Sequence, residues 1–401
     1  MKTEHGINES KYLCKRVETV ARIVERLESI KIMLVRSPPY TGKTSLAQLL
    51  EKHFVENKKT DGEVVLRLSF LTLNDRHKYA SFDDYWKQNT SFSWSELLNG
   101  MHPTKLILDE VSSSIFSSHK LFKCQMIYTR EDAIPFWQTL KQMCEEKDNY
   151  SHIQVIVFSA YGDKPNSGSD FAVPFAFPAS FGARLLLFTH SEINELISNF
   201  NETNDASIQI TDLMSEFLFK ITEGHVGLVV RTLEFIEKKL KDIDINYNRV
   251  TDRMIADLLL SRQYMTELST LRAAPNLDNL NDTETKLLDK FLKYDMMPFA
   301  EDEITRKTTF SLMKKGILRY NDKGANEDFA TSDEVCFISL LARQLCFYRR
   351  CSSPRPIQND ISFDEFILAC LKQLSRKYLL ECYGKGNDLK ILERTWQMEF
   401  L

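Results

Sequence analysis

The sequence predicts an α/β fold in which helices cover a parallel sheet, followed by a helical lid and a winged-helix domain. Five apolar runs recur in the first 190 residues without the alternation of a half-exposed strand, and helical segments separate them. This pattern is typical of parallel sheets. After residue 190 the strand signals stop and helical spacing continues to about residue 272, which indicates the lid. The order helix, helix, strand, strand then indicates the winged-helix domain.

The elements of the first part follow in order from apolar spacing and from the positions of Pro and Gly. Residues 13–30 carry apolar side chains three and four apart and predict an amphipathic helix. The predicted strands are residues 31–36, 63–71, 105–110, 153–162 and 183–190, and the helices between them include 44–56 and 133–146. Thr189 and Glu192 predict a capping box at the first helix of the lid.

The rest of the chain begins with a linker rich in Asn, Asp and Pro, residues 271–283. Beyond it lie ETKLLDKFLK, TRKTTFSLMKKG, ILRY and EVCFIS, the helices and strands of the winged-helix unit. We therefore expect five regions: an N-terminal helix at 1–30, the core at 31–190, the lid at 191–272, the winged-helix-like domain at 273–350, and a helical C-terminal segment at 351–401.

Composition limits the class of protein. The chain has 401 residues, 43% hydrophobic and 27% charged, with a formal net charge of -4. These values are typical of a soluble globular protein of two or three domains, without general attraction to nucleic acid. Its eight cysteines include no CxxC pair, and its first segment has no apolar signal core. We expect reduced thiols and an intracellular protein, cytoplasmic or nuclear, without membrane contact.

Residues 35–46, VRSPPYTGKTSL, predict a phosphate-binding loop between the first strand and the next helix. Such a loop turns backbone N–H groups toward phosphate oxygens, places a cation on the terminal phosphates and offers a hydroxyl to Mg²⁺. We expect Gly42 to permit the close backbone approach, Lys43 to supply the charge and Thr44 to bind Mg²⁺. The predicted ATP cradle is completed by Tyr40, Thr41 and Ser45.

The beginning of this loop is unusual, because Ser37 stands where a Gly is expected. Pro38 and Pro39 stiffen the turn by fixing φ, but they donate no N–H to a phosphate. The alternative interpretation is a strand-to-helix turn that contains GKT by chance.

Polar side chains end the third and fourth candidate strands. KLILDE predicts that Asp109 holds Mg²⁺ and that Glu110 polarises an attacking water. Ser159 ends the following strand, where it could contact the γ-phosphate as the sensor of AAA+ ATPases does. The alternative for Ser159 is a solvated strand end.

Further nucleotide contacts are expected from arginines and from the lid. Arg130 and Arg184 are candidate fingers on the γ-phosphate, because a guanidinium matches phosphate geometry. The lid segment 222–235 holds clustered glycines, Gly224 and Gly227, and predicts that His225 and Arg231 contact the nucleotide. A close helix–helix contact is the equal alternative for the glycines.

With these residues in place, the chain resembles the P-loop ATPase module of Crinkler-type proteins over about residues 15–400. The resemblance rests on an ordered set of segments: RSPPYTGKTSLAQLLE, FDDYWK, SFSWSELL, LILDE, FWQTLKQM, VIVFSAYG, LLLFTHSEINEL and TEGHVGLVVRTLEFI. The family's loop also tends to carry RSPP before GKT. The resemblance implies an ATPase of the AAA+/STAND kind, in which ATP binding sets the arrangement of lid and winged helix and switches a fused effector domain.

The family comparison also covers the C-terminal region. LMKKGILRY matches a winged-helix motif of the family, and LERTWQMEFL, residues 392–401, matches the opening of its nuclease-like domain. We expect this domain and the family's ubiquitin-like header to be lost, which points to a truncated product or to a chain cut at a domain boundary.

Three functions stay open at this point. The first is an ATP-hydrolysing switch with DNA at a basic helix over 306–319, where Arg306, Lys307, Lys314, Lys315 and Arg319 gather. The alternative for this helix is that Phe310, Leu312 and Met313 pack the domain while the charges are solvated. The second function is a nucleotide-binding scaffold without turnover, and the third is a small-molecule kinase. The expected ligands and partners are ATP, Mg²⁺, DNA and further copies of the chain.

Overall fold

The central sheet has five parallel strands in the order β2-β3-β4-β1-β5. They are β1 (Ile32–Arg36), β2 (Val64–Ser69), β3 (Thr104–Asp109), β4 (Ile153–Ser159) and β5 (Ser180–Phe181). The register pairs Arg36 with Ser159 and Ser69 with Asp109. The carboxyl ends of the four longer strands therefore meet at one edge of the sheet.

The structure is a computed structural model, which describes residues 7, 13–70, 81–100, 102–109, 134–145, 150–159, 180–204, 208–242, 250–271, 273–294, 296–299, 302–321 and 334–351. The chain divides into two units, Met1–Cys346 and Phe347–Leu401. The packing described below is that of the first unit. The five expected regions stay a prediction.

Helices cover both faces of the sheet. They are α1 (Val17–Ile30), α2 (Lys43–Glu56), α3 (Phe82–Thr90), α4 (Trp94–Asn99) and α5 (Ile134–Glu145). One face packs Leu106 and Val155 against aromatic side chains that include Trp86, while the other packs Ile107 and Ile156 against apolar residues of α1 and α2. Because successive strand residues face opposite cores, the apolar runs do not alternate. The predicted fold class is confirmed.

The lid contains five helices among the described residues: α6 (His190–Thr203), α7 (Asp212–Thr222), α8 (Val226–Asp242), α9 (Asp252–Leu259) and α10 (Arg262–Ser269). Their apolar faces form one core. The capping box of Thr189 and Glu192 is confirmed. These helices satisfy the prediction that strand signals stop near residue 190.

The strand predicted at 183–190 is wrong. The fifth strand ends at Phe181, and Ala183–Leu185 forms a 3₁₀ helix. Leu186 belongs to the core beneath the sheet, whereas Phe188 belongs to the core of the lid. The apolar run therefore turns between two cores instead of lying along a neighbouring strand.

A three-stranded antiparallel sheet, with the order β6-β8-β7, follows the lid. The elements are α11 (Asp282–Lys293), β6 (Met296–Pro298), α12 (Glu303–Lys314), β7 (Leu318–Tyr320), β8 (Glu334–Phe337) and α13 (Leu340–Cys351). This order fits the predicted winged-helix unit, although the short strand β6 was not predicted.

The basic helix expected over 306–319 is shorter than predicted. Helix α12 ends at Lys314, because Gly316 has a φ of 73° and turns the chain into β7. Arg319 therefore lies on a strand. Phe310, Leu312 and Met313 are buried in the core of this unit, as the alternative interpretation expected.

Two findings bear on the predicted environment. Within the described ranges, no helix combines the length and the apolar character that a membrane crossing requires. The described cysteines, Cys14, Cys144, Cys336 and Cys346, are thiols and form no disulfide.

Candidate functional site

The predicted phosphate loop connects β1 to α2 at the carboxyl edge of the sheet. Gly42 precedes α2 with a φ of 90°, a left-handed conformation that favours glycine. A Cβ there would lie 3.2 Å from both methyl carbons of Val226, the first residue of α8. The N–H groups of Lys43, Thr44 and Ser45 belong to the first turn of α2, which has no intrahelical partners for them. The first turn of α2 thus presents backbone N–H groups of the kind that bind an anion.

The side chain of Lys43 lies inside the loop and is only 6% exposed. Its Nζ donates to the Pro38 carbonyl at 2.8 Å and to the Ser37 carbonyl at 3.3 Å. The ammonium therefore occupies the space enclosed by the loop, where it can meet a phosphate. Charge-assisted hydrogen bonds to phosphate are stronger than those to neutral carbonyls, so a bound phosphate can replace these partners.

Two hydroxyl groups close the base of the loop. Ser37 Oγ and Thr41 Oγ1 lie 2.6 Å apart, and Thr41 Oγ1 donates to the Pro38 carbonyl at 3.0 Å. Both side chains are fully buried. Ser37 therefore replaces the expected Gly with a residue that hydrogen-bonds across the turn. Sequence reasoning noted the substitution but missed this pairing, for which the four-residue spacing of the two hydroxyls was the available signal.

The ends of β3 and β4 bring two predicted polar residues to the loop's edge of the sheet. The Ser37 N–H donates to the Ser159 carbonyl at 3.2 Å, so Ser159 directly adjoins the start of the loop. Asp109 ends β3, which neighbours β4, and its side chain is buried. Glu110 and Arg130 lie outside the described residues. The roles of Asp109 and Ser159 stay predictions.

The first turn of α8 in the lid touches the loop. The Gly227 N–H donates to the Tyr40 carbonyl at 3.0 Å. A Cβ on Gly227 would lie 2.8 Å from that same oxygen, so this close approach requires glycine. Tyr40 has a φ of 60° and is 47% exposed. The lid therefore contacts the predicted nucleotide loop through backbone atoms.

His225 is buried at the same junction. Its Nδ1 accepts a hydrogen bond from the Leu228 N–H at 3.2 Å. Burial is the main reason that the pKa of His225 is lowered to about 4, and the positive charges of Lys43 and Arg319 contribute to the same shift. The ring is therefore neutral near pH 7 and lies near the loop lysine.

Three further candidates are Arg231 and Gly224 of the lid and Arg184, which precedes it. Arg231 is half exposed and pairs with Glu234 through Nη1 and Oε2 at 2.6 Å. Gly224 is explained by packing, because a Cβ there would lie 2.2 Å from the Phe188 carbonyl oxygen. Arg184 is exposed on the 3₁₀ helix. Of the two lid side chains predicted to contact the nucleotide, His225 lies near Lys43 of the loop, whereas Arg231 pairs with Glu234 within α8.

The turn between α12 and β7 approaches the loop from another side. A Cβ on Gly316 would lie 3.8 Å from Pro39 Cδ. Close by, Arg319 Nη2 pairs with Glu223 Oε2 at 2.6 Å and thereby joins β7 to the end of α7. The loop is thus contacted by both the lid and the winged-helix-like unit. Sequence spacing gave no signal for this contact.

A separate buried ion pair joins the N-terminal helix to the lid. Arg16 Nε and Nη2 each lie 3.2 Å from a carboxylate oxygen of Glu192. The guanidinium also donates to the carbonyls of Leu186 and Leu187 at 3.0 and 3.1 Å. Both charged side chains are 4% exposed. The pair fixes α1 against α6 and the segment that leads from the sheet.

The donor set fits a nucleotide with Mg²⁺. The amides of the first α2 turn and the Lys43 ammonium suit phosphate oxygens. The Thr44 hydroxyl and the Asp109 carboxylate are oxygen donors of the kind that Mg²⁺ prefers. Together, the parallel sheet, the loop between β1 and α2 and the lysine that begins α2 define a P-loop NTPase fold.

Several solved structures are similar to the chain at low sequence identity. The ORC2 protein of Aeropyrum pernix, in ADPNP–ADP complexes, has a TM-score of 0.43 and 13% identity over 86% of this chain and 94% of that one. A Walker-type ATPase of Pyrococcus abyssi has a TM-score of 0.41 and 11% identity, with coverages of 83% and 95%. A RuvB mutant of Thermotoga maritima has a TM-score of 0.38 and 14% identity, with coverages of 85% and 96%.

No protein-family model matches the chain, and no curated protein matches it.

Proposed function

We propose that the protein binds ATP with Mg²⁺ at the loop of residues 37–45 and hydrolyses it as a switch of the AAA+/STAND kind. One observation carries the proposal: the lid and the winged-helix-like unit both contact the loop that would hold the phosphates. Gly227 hydrogen-bonds Tyr40, and Gly316 lies against Pro39. A phosphate that rearranges this loop would therefore change the contacts that both units make with it.

Each group in the site has a proposed role. The amides from Tyr40 to Ser45 cradle the phosphates, and Lys43 neutralises the β and γ oxygens. Thr44 and Asp109 would hold Mg²⁺, and the bound ion would supply positive charge next to the transferred phosphoryl group. Glu110 polarises the attacking water. Ser159 and Arg130 contact the γ-phosphate.

Membership of the Crinkler-type ATPases is part of the same proposal. The segments that carry the resemblance fall on the parts of the fold that form the proposed site: RSPPYTGKT on the loop, LILD on β3, VIVFS on β4, and the GHVG stretch at the start of α8. A set of segments that shares one site supports a common mechanism better than any single motif does.

A magnesium-dependent ATPase assay on the purified chain tests the proposal, together with ATP binding by the Lys43→Ala variant. We expect binding by this variant to be lost or severely weakened, because the buried ammonium faces the phosphate position. Lys52→Ala is the matched control, since Lys52 is exposed on the same helix. Tight ATP binding by Lys43→Ala would contradict the assignment.

Turnover separates the ATPase from the two alternatives. Glu110→Gln should bind ATP like the parent and hydrolyse it about 100-fold more slowly, because the amide keeps the shape but cannot act as a base. Binding without turnover by the parent would favour the scaffold. Phosphorylation of an added acceptor would favour the kinase.

DNA and self-association remain proposed partners. Arg306 and Lys307 are exposed on α12, which supports a DNA contact there. Lys307 pairs with Glu303 on the exposed face of α12, whereas Lys315 and Arg319 pair with Glu284 and Glu223 where they are largely buried. Any DNA contact should therefore depend on the exposed residues of α12, above all Arg306 and Lys307, and be strongly salt-dependent.

A further inference from the structure

We propose that the buried hydroxyl pair of Ser37 and Thr41 positions the phosphate loop, because it keeps a donor on the Pro38 carbonyl when Lys43 turns from that carbonyl to a phosphate. The proposal rests on the proposed nucleotide site and deepens it. Both hydroxyls act on the backbone of the loop and not on the nucleotide itself.

The Pro38 carbonyl has little freedom to turn away from the loop. The ring of Pro38 fixes its own φ, and the ring of Pro39 restricts the ψ of the residue before it. Pro38 is buried, and a buried carbonyl without a donor costs free energy. This oxygen therefore needs a donor at the place where the two rings hold it.

Two kinds of donor meet at this oxygen. Lys43 Nζ donates to it at 2.8 Å, and Thr41 Oγ1 donates to it at 3.0 Å. Lys43 is also the proposed ligand of the β and γ phosphates. The ammonium therefore has to exchange this carbonyl for phosphate oxygens, whereas the Thr41 hydroxyl is free of that task and can stay.

The geometry of the hydroxyl pair keeps a proton on the carbonyl. Ser37 Oγ lies 2.6 Å from Thr41 Oγ1 and 3.3 Å from the Pro38 oxygen. Each hydroxyl has one proton. Because the two oxygens are so close, one hydroxyl donates to the other, and the second proton is left for Pro38. Either hydroxyl can therefore serve as the donor.

The pair also lies beside the lysine that it is proposed to assist. Lys43 Nζ lies 3.4 Å from Ser37 Oγ and 3.3 Å from the Ser37 carbonyl oxygen. The side chains of Ser37 and Thr41 are fully buried. The hydroxyl pair thus contacts the lysine and the loop backbone from inside the loop, and the Ser in place of the expected Gly supplies one of its two members.

A thermodynamic cycle tests whether the lysine and the hydroxyl pair share this carbonyl. Ser37→Ala with Thr41→Val removes both hydroxyls, and Lys43→Met removes the ammonium. Denaturant unfolding of the full chain gives the folding equilibrium constant of the parent, of each of these variants and of their combination. We expect loss of the hydroxyls to lower this constant about tenfold more in the Lys43→Met background than with Lys43 present, because only there does the carbonyl lose its last donor.

ATP binding with Mg²⁺ provides the second test. The variant without both hydroxyls should bind ATP about tenfold more weakly than the parent, since its lysine leaves a buried carbonyl without a donor on binding the phosphates. Ser37→Ala alone should bind like the parent, as should Ser37→Ala with Thr41→Ser, because a hydroxyl remains at position 41. Thr309→Val is the matched control, since it removes a buried hydroxyl that donates within α12.

Equal effects of hydroxyl loss in the two Lys43 backgrounds would overturn the proposal, as would parent-like ATP binding by the variant without both hydroxyls. A defect in ATP binding that persists with Ser at position 41 would assign the pair to packing and overturn it as well. If the parent itself binds no ATP, the proposed function fails. The unfolding cycle then decides by itself whether the hydroxyl pair and Lys43 share the Pro38 carbonyl.

Discussion

The backbone N–H of Gly227 donates to the Tyr40 carbonyl at 3.0 Å, and this hydrogen bond joins the lid to the apex of the phosphate loop. Tyr40 adopts a φ of 60° there. A left-handed conformation costs a residue with a Cβ about 1–2 kcal/mol, so the loop apex is held partly by its contact with α8. We therefore expect a change in the conformation of the loop to alter its contact with the lid, and a change in the lid to alter the loop.

Gly227→Ala should separate the lid from the loop. The added Cβ would lie 2.8 Å from the Tyr40 carbonyl oxygen and 3.1 Å from Ala273 Cβ. We expect the free energy of unfolding to fall by about 1–3 kcal/mol and ATP binding to weaken, as measured by denaturant unfolding and titration. Gly62→Ala is the control, because Gly62 is exposed and its Cβ would meet only the His102 ring, at 3.3 Å or more. Equal effects of the two variants would contradict the close contact.

Arg16→Ala should be among the most destabilising single changes in the N-terminal helix. It leaves the Glu192 carboxylate, whose side chain is 4% exposed, without its cation. Removing one partner of a buried ion pair typically costs about 3–5 kcal/mol. Denaturant unfolding measures the loss. Lys59→Ala removes an exposed pair with Glu28 and should change stability far less. A small effect of Arg16→Ala would show that the pair is dispensable.

The pH dependence of stability should report on His225. The folded pKa is about 4, against an ordinary value of 6.5, so between these limits the unfolded chain binds the additional proton. The free energy of unfolding should therefore fall as the pH drops from 6.5 toward 4. The neutral state of His225 contributes at most about 3 kcal/mol to the free energy of unfolding, and this contribution is fully present above pH 6.5. Unfolding of the parent and of His225→Asn is compared across this range. Identical slopes would mean that His225 titrates normally in the folded chain.

The salt dependence of DNA binding should distinguish the basic residues. If duplex DNA binds α12, Arg306→Ala with Lys307→Ala should reduce the slope of log affinity against log salt by about 1.8. Arg319→Ala should leave the slope unchanged and lower the melting temperature, because Arg319 pairs with Glu223 within the chain. Binding is titrated at several salt concentrations with ATP present. A slope that changes only with Arg319 would place the DNA contact elsewhere.

Local pattern was sufficient for most of the sheet and for the loop. Each of the first four predicted strands overlaps an observed one, because burial on both faces demands a continuous apolar run. Gly42 and Lys43 lie at the turn and at the first position of α2, where their spacing predicts them, and their contact with a nucleotide stays a proposal. The strand predicted at 183–190 failed because an apolar run does not reveal which of two cores buries each residue.

The sequence by itself determined the parallel sheet, the phosphate loop and the helical lid, because apolar period and glycine placement are local properties of the chain. Only the tertiary structure decided what surrounds the loop. His225 and Gly316 lie 186 and 277 positions beyond Pro39 along the chain, and both approach it through packing. Arg319 is expected from the sequence to contact DNA, but in the structure it forms an ion pair with Glu223 for the same reason. A side chain's spacing gives its position on its own element, whereas its partner depends on how distant elements bury their apolar faces together.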